Sequence, residues 1–154
     1  MFVLITGLSR PDLAITLLRI AMGLFFVISG YHKLFNRQRH ATIRQTMVAD
    51  HVPEATFNSW FVPCVEFSGG AALIIGFLTP LAALGLFVVC CAAAIVDGLK
   101  RIIGWNPIDR ADYVDDVLYL PEVLYAFILL ALIFQGAGPY SVDGLIMEFR
   151  PWLG

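Results

Sequence analysis

The chain alternates long apolar runs with short polar breaks, and the runs exceed what a strand or an ordinary core helix needs. Four of them approach the about 20 residues that cross about 30 Å of hydrocarbon as a helix. They run from Asp12 to Leu34, Trp60 to Leu78, Pro80 to Ile103 and Val117 to Gly136. The pattern predicts an all-α polytopic membrane protein, a four-transmembrane-helix bundle forming a single domain over residues 1–154. Ser9 and Asp12 have capping-box spacing ahead of the first run. Thr79 can cap the third run, with Pro80 tolerated in its first turn. Gly136, Gly138 and Pro139 close the fourth.

The connections differ. Gly76 to Pro80 leaves room only for a tight turn, so the second and third spans are expected to be antiparallel neighbours. Phe35 to Ser59 contains an amphipathic stretch with Ile43, Met47 and Val48 on one side and a break at Pro53. That stretch reads as an interfacial helix lying in the headgroup layer between the first two spans. Lys100 to Asp116 reads as a polar loop around Asn106-Pro107.

Composition agrees with this solvent: 59% hydrophobic, 14% charged and a mean hydropathy of +0.80. A net charge of −2 argues neither for nucleic acid nor for anionic lipid as the main partner, and the expected surroundings are the lipid bilayer and other membrane subunits or further copies of the chain. Lys33, Arg37, Arg39, Arg44, Lys100, Arg101 and Arg110 concentrate in the two longer connections, against Arg10 and Arg150 elsewhere. The positive-inside rule puts those connections in the cytoplasm and both termini on the outer face.

Ionisable groups within or at the ends of spans are costly at membrane depth and normally face a partner or a cavity. Lys33, Glu66, Asp97, Lys100 and Glu122 share one layer a turn or two below the cytoplasmic surface, at about 1.5 Å per residue. Arg19 stands alone near the other surface, with Asp143 as its available ion-pair partner. Arg19, Gly23, Phe26, Gly30 and Lys33 recur on one face of the first span, and Glu66, Gly69, Leu73 and Gly76, with Gly70 beside them, on one face of the second. Small residues on such stripes allow close helix approach. Pro121 before Glu122 predicts a kink that frees the carbonyl of Val117. Two readings of these charges stand side by side: ion pairs that fix register, and a ligand or proton site.

Other chemistry is sparse. Cys64, Cys90 and Cys91 lack zinc-like spacing, and an adjacent pair in an apolar run reads as inert filler. His32, His40 and His51 do not match metal-ligand spacing, so no metal site is expected. Trp60, Trp105 and Trp152 fall at interfaces as anchors, while Tyr31, Tyr119 and Tyr125 lie near the charged layer as belt residues or as the lining of a head-group cavity. There is no haem-attachment motif, nucleotide-binding glycine loop or nucleophile elbow, which argues against a self-contained redox enzyme.

The ordered motifs resemble the DoxX family of small four-helix membrane proteins. They are Leu18 to Gly23, Ser29 to Leu34, Met47 to Pro53, Val65 to Gly70, Gly76 to Ala83 and Gly136 to Asp143. The usual Gly-Pro-Gly after the last span is here Gly136-Ala137-Gly138-Pro139. The resemblance implies a subunit associated with quinone-linked oxidoreductases, or with membrane complexes for thiol and oxidative stress, in the cytoplasmic membrane of a bacterium or archaeon. It supplies no catalytic residues. The expected function is a non-catalytic membrane subunit that anchors a partner and contributes to a quinone pocket. There, Glu66 or Glu122 would exchange protons and Lys33 or Tyr31 would orient the head group. A purely structural accessory subunit and a small-molecule transporter are the alternatives.

Overall fold

The computed structural model describes residues 11–105 and 107–149, and every element in it is helical. Helix α1 spans Pro11–Phe35, α2 Arg37–Ala49, α3 Ala55–Ile75 and α4 Thr79–Ala93. A π-helical turn at Ala94–Gly98 carries α4 into α5, Leu99–Trp105. Then come α6 (Arg110–Tyr119), α7 (Pro121–Gln135) and α8 (Val142–Phe149). Ser9, Arg10, Asn106, Arg150 and Trp152 lie outside the described residues, and with them the expected capping box and terminal anchors.

Helix α1 packs most extensively on α3, α3 on α4, and α4 on α7, with a lighter contact from α7 back to α1. The core they enclose is Met22, Phe26, Leu73, Ala83, Leu86, Cys90, Leu129 and Leu132. Leu17, Leu24 and Ile28, then Leu81 and Val88, then Leu124, Phe127 and Phe134 face outward. An apolar exterior of this kind suits lipid rather than water.

Among the described residues, α1 and the continuous column Thr79–Trp105 are each long and apolar enough to cross a membrane. Helices α6 and α7 meet that condition only as a pair bent by 64°. Helix α3 begins five residues before the expected Trp60, at Ala55, and Asn58, Ser59, Pro63 and Glu66 dilute its apolar character.

Two local expectations change. Lys100 to Asp116 is largely helical: α5 continues the third apolar run, and Asp109 caps α6 by accepting from the N–H of Asp112 at 2.9 Å. Pro121 starts a helix instead of kinking one. Leu120 is extended (φ −66°, ψ 123°), as steric conflict with a following proline favours, and Pro121 occupies the first turn of α7. The carbonyl of Val117 is then not freed, because it accepts the N–H of Leu120 at 3.2 Å. Gly136 to Ser141 turns the chain into α8, which presents Leu145, Ile146 and Met147 outward.

Candidate functional site

The seam between α1 and α3 is a backbone contact made possible by glycine. A Cβ on Gly30 would lie 2.6 Å from the N of Phe67 and 2.8 Å from the carbonyl O of Pro63. One on Gly70 would lie 2.7 Å from the N of Val27, and one on Gly23 2.7 Å from the carbonyl O of Gly70. Gly69 faces the other way, onto Leu86 of α4.

At one end of this seam, Lys33 Nζ contacts both carboxylate oxygens of Glu66, at 2.5 and 2.7 Å. Ser29 Oγ donates to Glu66 Oε2 at 3.2 Å. The Glu66 side chain is 6% exposed and that of Lys33 26%, so the carboxylate is enclosed while the ammonium reaches the rim. The close approach at Gly30 places the two groups in register. Both oxygens of Glu66 therefore have a partner.

The remaining polar groups do not join it. Asp97 lies in the π turn, and Arg101, one turn on, reaches back to it at 3.2 Å between Nε and Oδ2. Arg101 Nη2 also donates to Glu122 Oε1 at 2.6 Å, tying α5 to the first turn of α7. The second oxygen, Glu122 Oε2, is buried with no hydrogen-bond partner. Buried polar atoms are normally satisfied, so an orphaned carboxylate oxygen marks an incomplete set of contacts. Lys100 instead pairs with Asp50 at the end of α2. Tyr31 is 52% exposed and packs its ring on that of Phe35. Tyr119 is also exposed, while Tyr125, half-buried, packs on exposed Phe25 and buried Phe26. The single layer read from depth is therefore two separate clusters, plus a surface pair.

Sequence reasoning named neither Ser29 nor Asp50 for these roles and read Arg101 only as a loop charge. Spacing within one span could have flagged Asp97 and Arg101, which are an i,i+4 pair. Partners on other helices depend on register that a single chain does not display.

At the opposite end, Arg19 is buried but makes no ion pair with Asp143. Arg19 Nη1 donates to the carbonyl of Ala137 at 2.9 Å and Nη2 to that of Tyr140 at 2.6 Å. Asp143 accepts from the N–H groups of Leu78 and Thr79 at 2.8 and 2.9 Å. It thereby caps α4 from 64 residues away, where Leu78 (φ 48°) supplies no side-chain cap. Gly76 is required between them: its φ is +70°, and a Cβ there would sit 1.8 Å from Arg19 Nη1. Each charge found backbone groups to serve, which is why the pair expected from proximity did not form. This end is a structural clasp joining α1, the α3–α4 turn and the turn after α7.

The DoxX family profile matches residues 14–98, more than half of the chain, across α1 to the end of the π turn. The chain belongs to the DoxX family. It is a DoxX-family integral membrane protein whose matched region holds the whole glycine seam, the Lys33–Glu66 pair and Asp97. It is also 28% identical, over 135 residues, to inner membrane protein YqjF of Escherichia coli (strain K12), covering 88% of this chain and 93% of that protein. No solved structure matches. Arg101 and Glu122 lie beyond the family match, so the second cluster joins a residue inside it to residues outside it.

Proposed function

We propose that the chain is a four-span subunit of a quinone-linked oxidoreductase complex in the cytoplasmic membrane, anchoring a partner, with Glu122 as its proton-exchanging carboxylate. In this reading the four spans are α1, α3, the α4–α5 column and α7, with α2 on the cytoplasmic surface; the packing of each of the four on the next supports it. The inner-membrane name of the relative supports the location.

The observation that carries the proton role is the contrast between the two carboxylates. Glu66 has both oxygens held by Lys33 and Ser29, whereas Glu122 keeps one buried oxygen free beside the break at Leu120-Pro121. A quinone, when bound, would supply the two-electron, two-proton chemistry. Glu122 would hold a proton at Oε2 for a head-group oxygen and regain one from the cytoplasmic face. Arg101 fixes the orientation of Glu122 through Oε1 and takes the positioning role first expected of Lys33 or Tyr31. The electrons would come from a partner's donor.

Affinity purification in mild detergent, with mass spectrometry and an absorption spectrum, identifies the companion. In the purified complex, Glu122→Gln is expected to lower quinone reduction by about 100-fold or more, the usual scale of general acid–base catalysis. Glu66→Gln is expected to leave turnover of the folded complex near wild type. Wild-type turnover in Glu122→Gln would refute the proton role. A subunit that co-purifies stoichiometrically without affecting the rate would be a structural accessory, the reading that the Lys33–Glu66 pair and the glycine seam favour.

A further inference from the structure

Helix α2 carries Arg37, Arg39, His40 and Arg44 and no acidic residue along its 13 positions. One face is committed to the rest of the protein. His40, Ile43, Met47 and Asp50 recur at helical spacing and are half-buried, the His40 ring lies 4.0 Å from that of Trp60, and Asp50 pairs with Lys100. The three arginines flank that face, Arg37 and Arg44 on one side and Arg39 on the other. All three are exposed, and among the described residues none enters an ion pair.

The helix lies across one end of the α1–α3 seam, where Phe35, Phe57, Trp60 and Phe61 are also exposed. Exposed aromatic residues at the end of apolar helices mark the boundary between hydrocarbon and headgroups. Guanidinium groups set beside that boundary, on a helix lying over it, reach the level of the lipid phosphates. Arginine matches phosphate oxygens bidentately, and nothing acidic on α2 competes for it.

We propose that α2 is a binding surface for anionic phospholipid, with Arg37, Arg39 and Arg44 pairing with the headgroups. The assignment rests on α1 and α3 both spanning the bilayer, but it is independent of any quinone chemistry. Its consequence is a preference for negatively charged membrane around this end of the protein, beyond the sidedness that basic loops give every membrane protein.

The test is native mass spectrometry of the full chain released from nanodiscs holding equal phosphatidylglycerol and phosphatidylcholine. Wild type is expected to retain phosphatidylglycerol over phosphatidylcholine by about fivefold or more at low ionic strength. The triple variant Arg37→Gln, Arg39→Gln, Arg44→Gln is expected to lose that preference, and the corresponding triple lysine variant to keep most of it. These side chains are exposed and enter no ion pair among the described residues, and the lysine variant keeps their charge while changing their shape. Lipids retained in bulk ratio by wild type would overturn the proposal, as would an unchanged preference in the glutamine variant. A glutamine variant that changed oligomer mass but not lipid preference would also overturn it, pointing to acidic α6 of a second copy as the occupant. Retention of neither lipid would overturn it as well, whereas failure of the span assignment is read separately, by sided cysteine labelling, so the two failures are distinguishable.

Discussion

Replacing Gly30 by alanine should force α1 and α3 apart along their whole seam. The added carbon would meet the backbone N of Phe67 at 2.6 Å, about 0.8 Å inside ordinary van der Waals contact. It would also meet the backbone O of Pro63 at 2.8 Å, and no flexible side chain can yield in its place. Relief requires moving one helix, which also loosens the contacts at Gly23 and Gly70 and the alignment of Lys33 with Glu66. Overpacking of this kind costs about 1–3 kcal/mol, and alanine returns up to about 1 kcal/mol of helix propensity. A net loss of about 1–2 kcal/mol corresponds to roughly five- to thirtyfold in the unfolding equilibrium. The assay is reversible unfolding of the detergent-solubilised protein in mixed micelles with increasing dodecyl sulfate, followed by circular dichroism and tryptophan fluorescence. Gly104→Ala is the control, since nothing lies within 4 Å of its added carbon, and it should be neutral or slightly stabilising. Equal stability of Gly30→Ala and wild type would refute the close-packed seam.

Two further outcomes follow from the ion pair and the cap. Lys33→Met leaves the enclosed Glu66 carboxylate without its cation and should cost about 2–4 kcal/mol in the same unfolding assay. That is at or below the range for a fully buried pair, because Lys33 reaches the rim. The double variant Lys33→Met, Glu66→Leu should recover most of the loss, and a double as unstable as the single would show that the charges themselves are needed. Asp143→Ala removes the cap from the N–H groups of Leu78 and Thr79 and should cost about 1 kcal/mol. Asp143→Asn should retain part of it, whereas Asn and Ala variants of equal stability would indicate that the cap contributes nothing.

The apolar runs were legible because lipid-facing helices display their hydrophobic residues continuously, without the polar face that interrupts a soluble helix. The α1 stripe was legible for a related reason: Gly23 and Gly30 at alternating four- and three-residue steps have no use on a lipid face but allow a backbone to approach. The Arg101–Glu122 and Lys100–Asp50 pairs escaped notice because their partners lie on different helices, and ion pairing there is decided by register and rotation. Depth alone put Lys33, Glu66, Asp97, Lys100 and Glu122 in one layer, yet residues at one depth on different faces need never meet. Helix α6 was hidden by its charges: Asp109 and Asp112 read as loop composition, although their spacing is that of an N-terminal cap. The π turn at Ala94–Gly98 has no sequence signature of its own, and it lies just ahead of Arg101, which reaches Glu122.

The proposed four-span arrangement is what the proton and lipid readings both rest on, and sided cysteine labelling tests it most directly. Single cysteines are placed at Ala41, Phe77, Ile108 and Met147, all exposed, in a background with Cys64, Cys90 and Cys91 replaced by alanine. A membrane-impermeant maleimide is applied to intact cells lacking an outer-membrane barrier and to inverted vesicles. Four spans with cytoplasmic connections predict that Phe77→Cys and Met147→Cys react from outside, and Ala41→Cys and Ile108→Cys only in inverted vesicles. Reaction of Ile108→Cys and Met147→Cys from the same side, or of Ala41→Cys and Phe77→Cys from the same side, would contradict it.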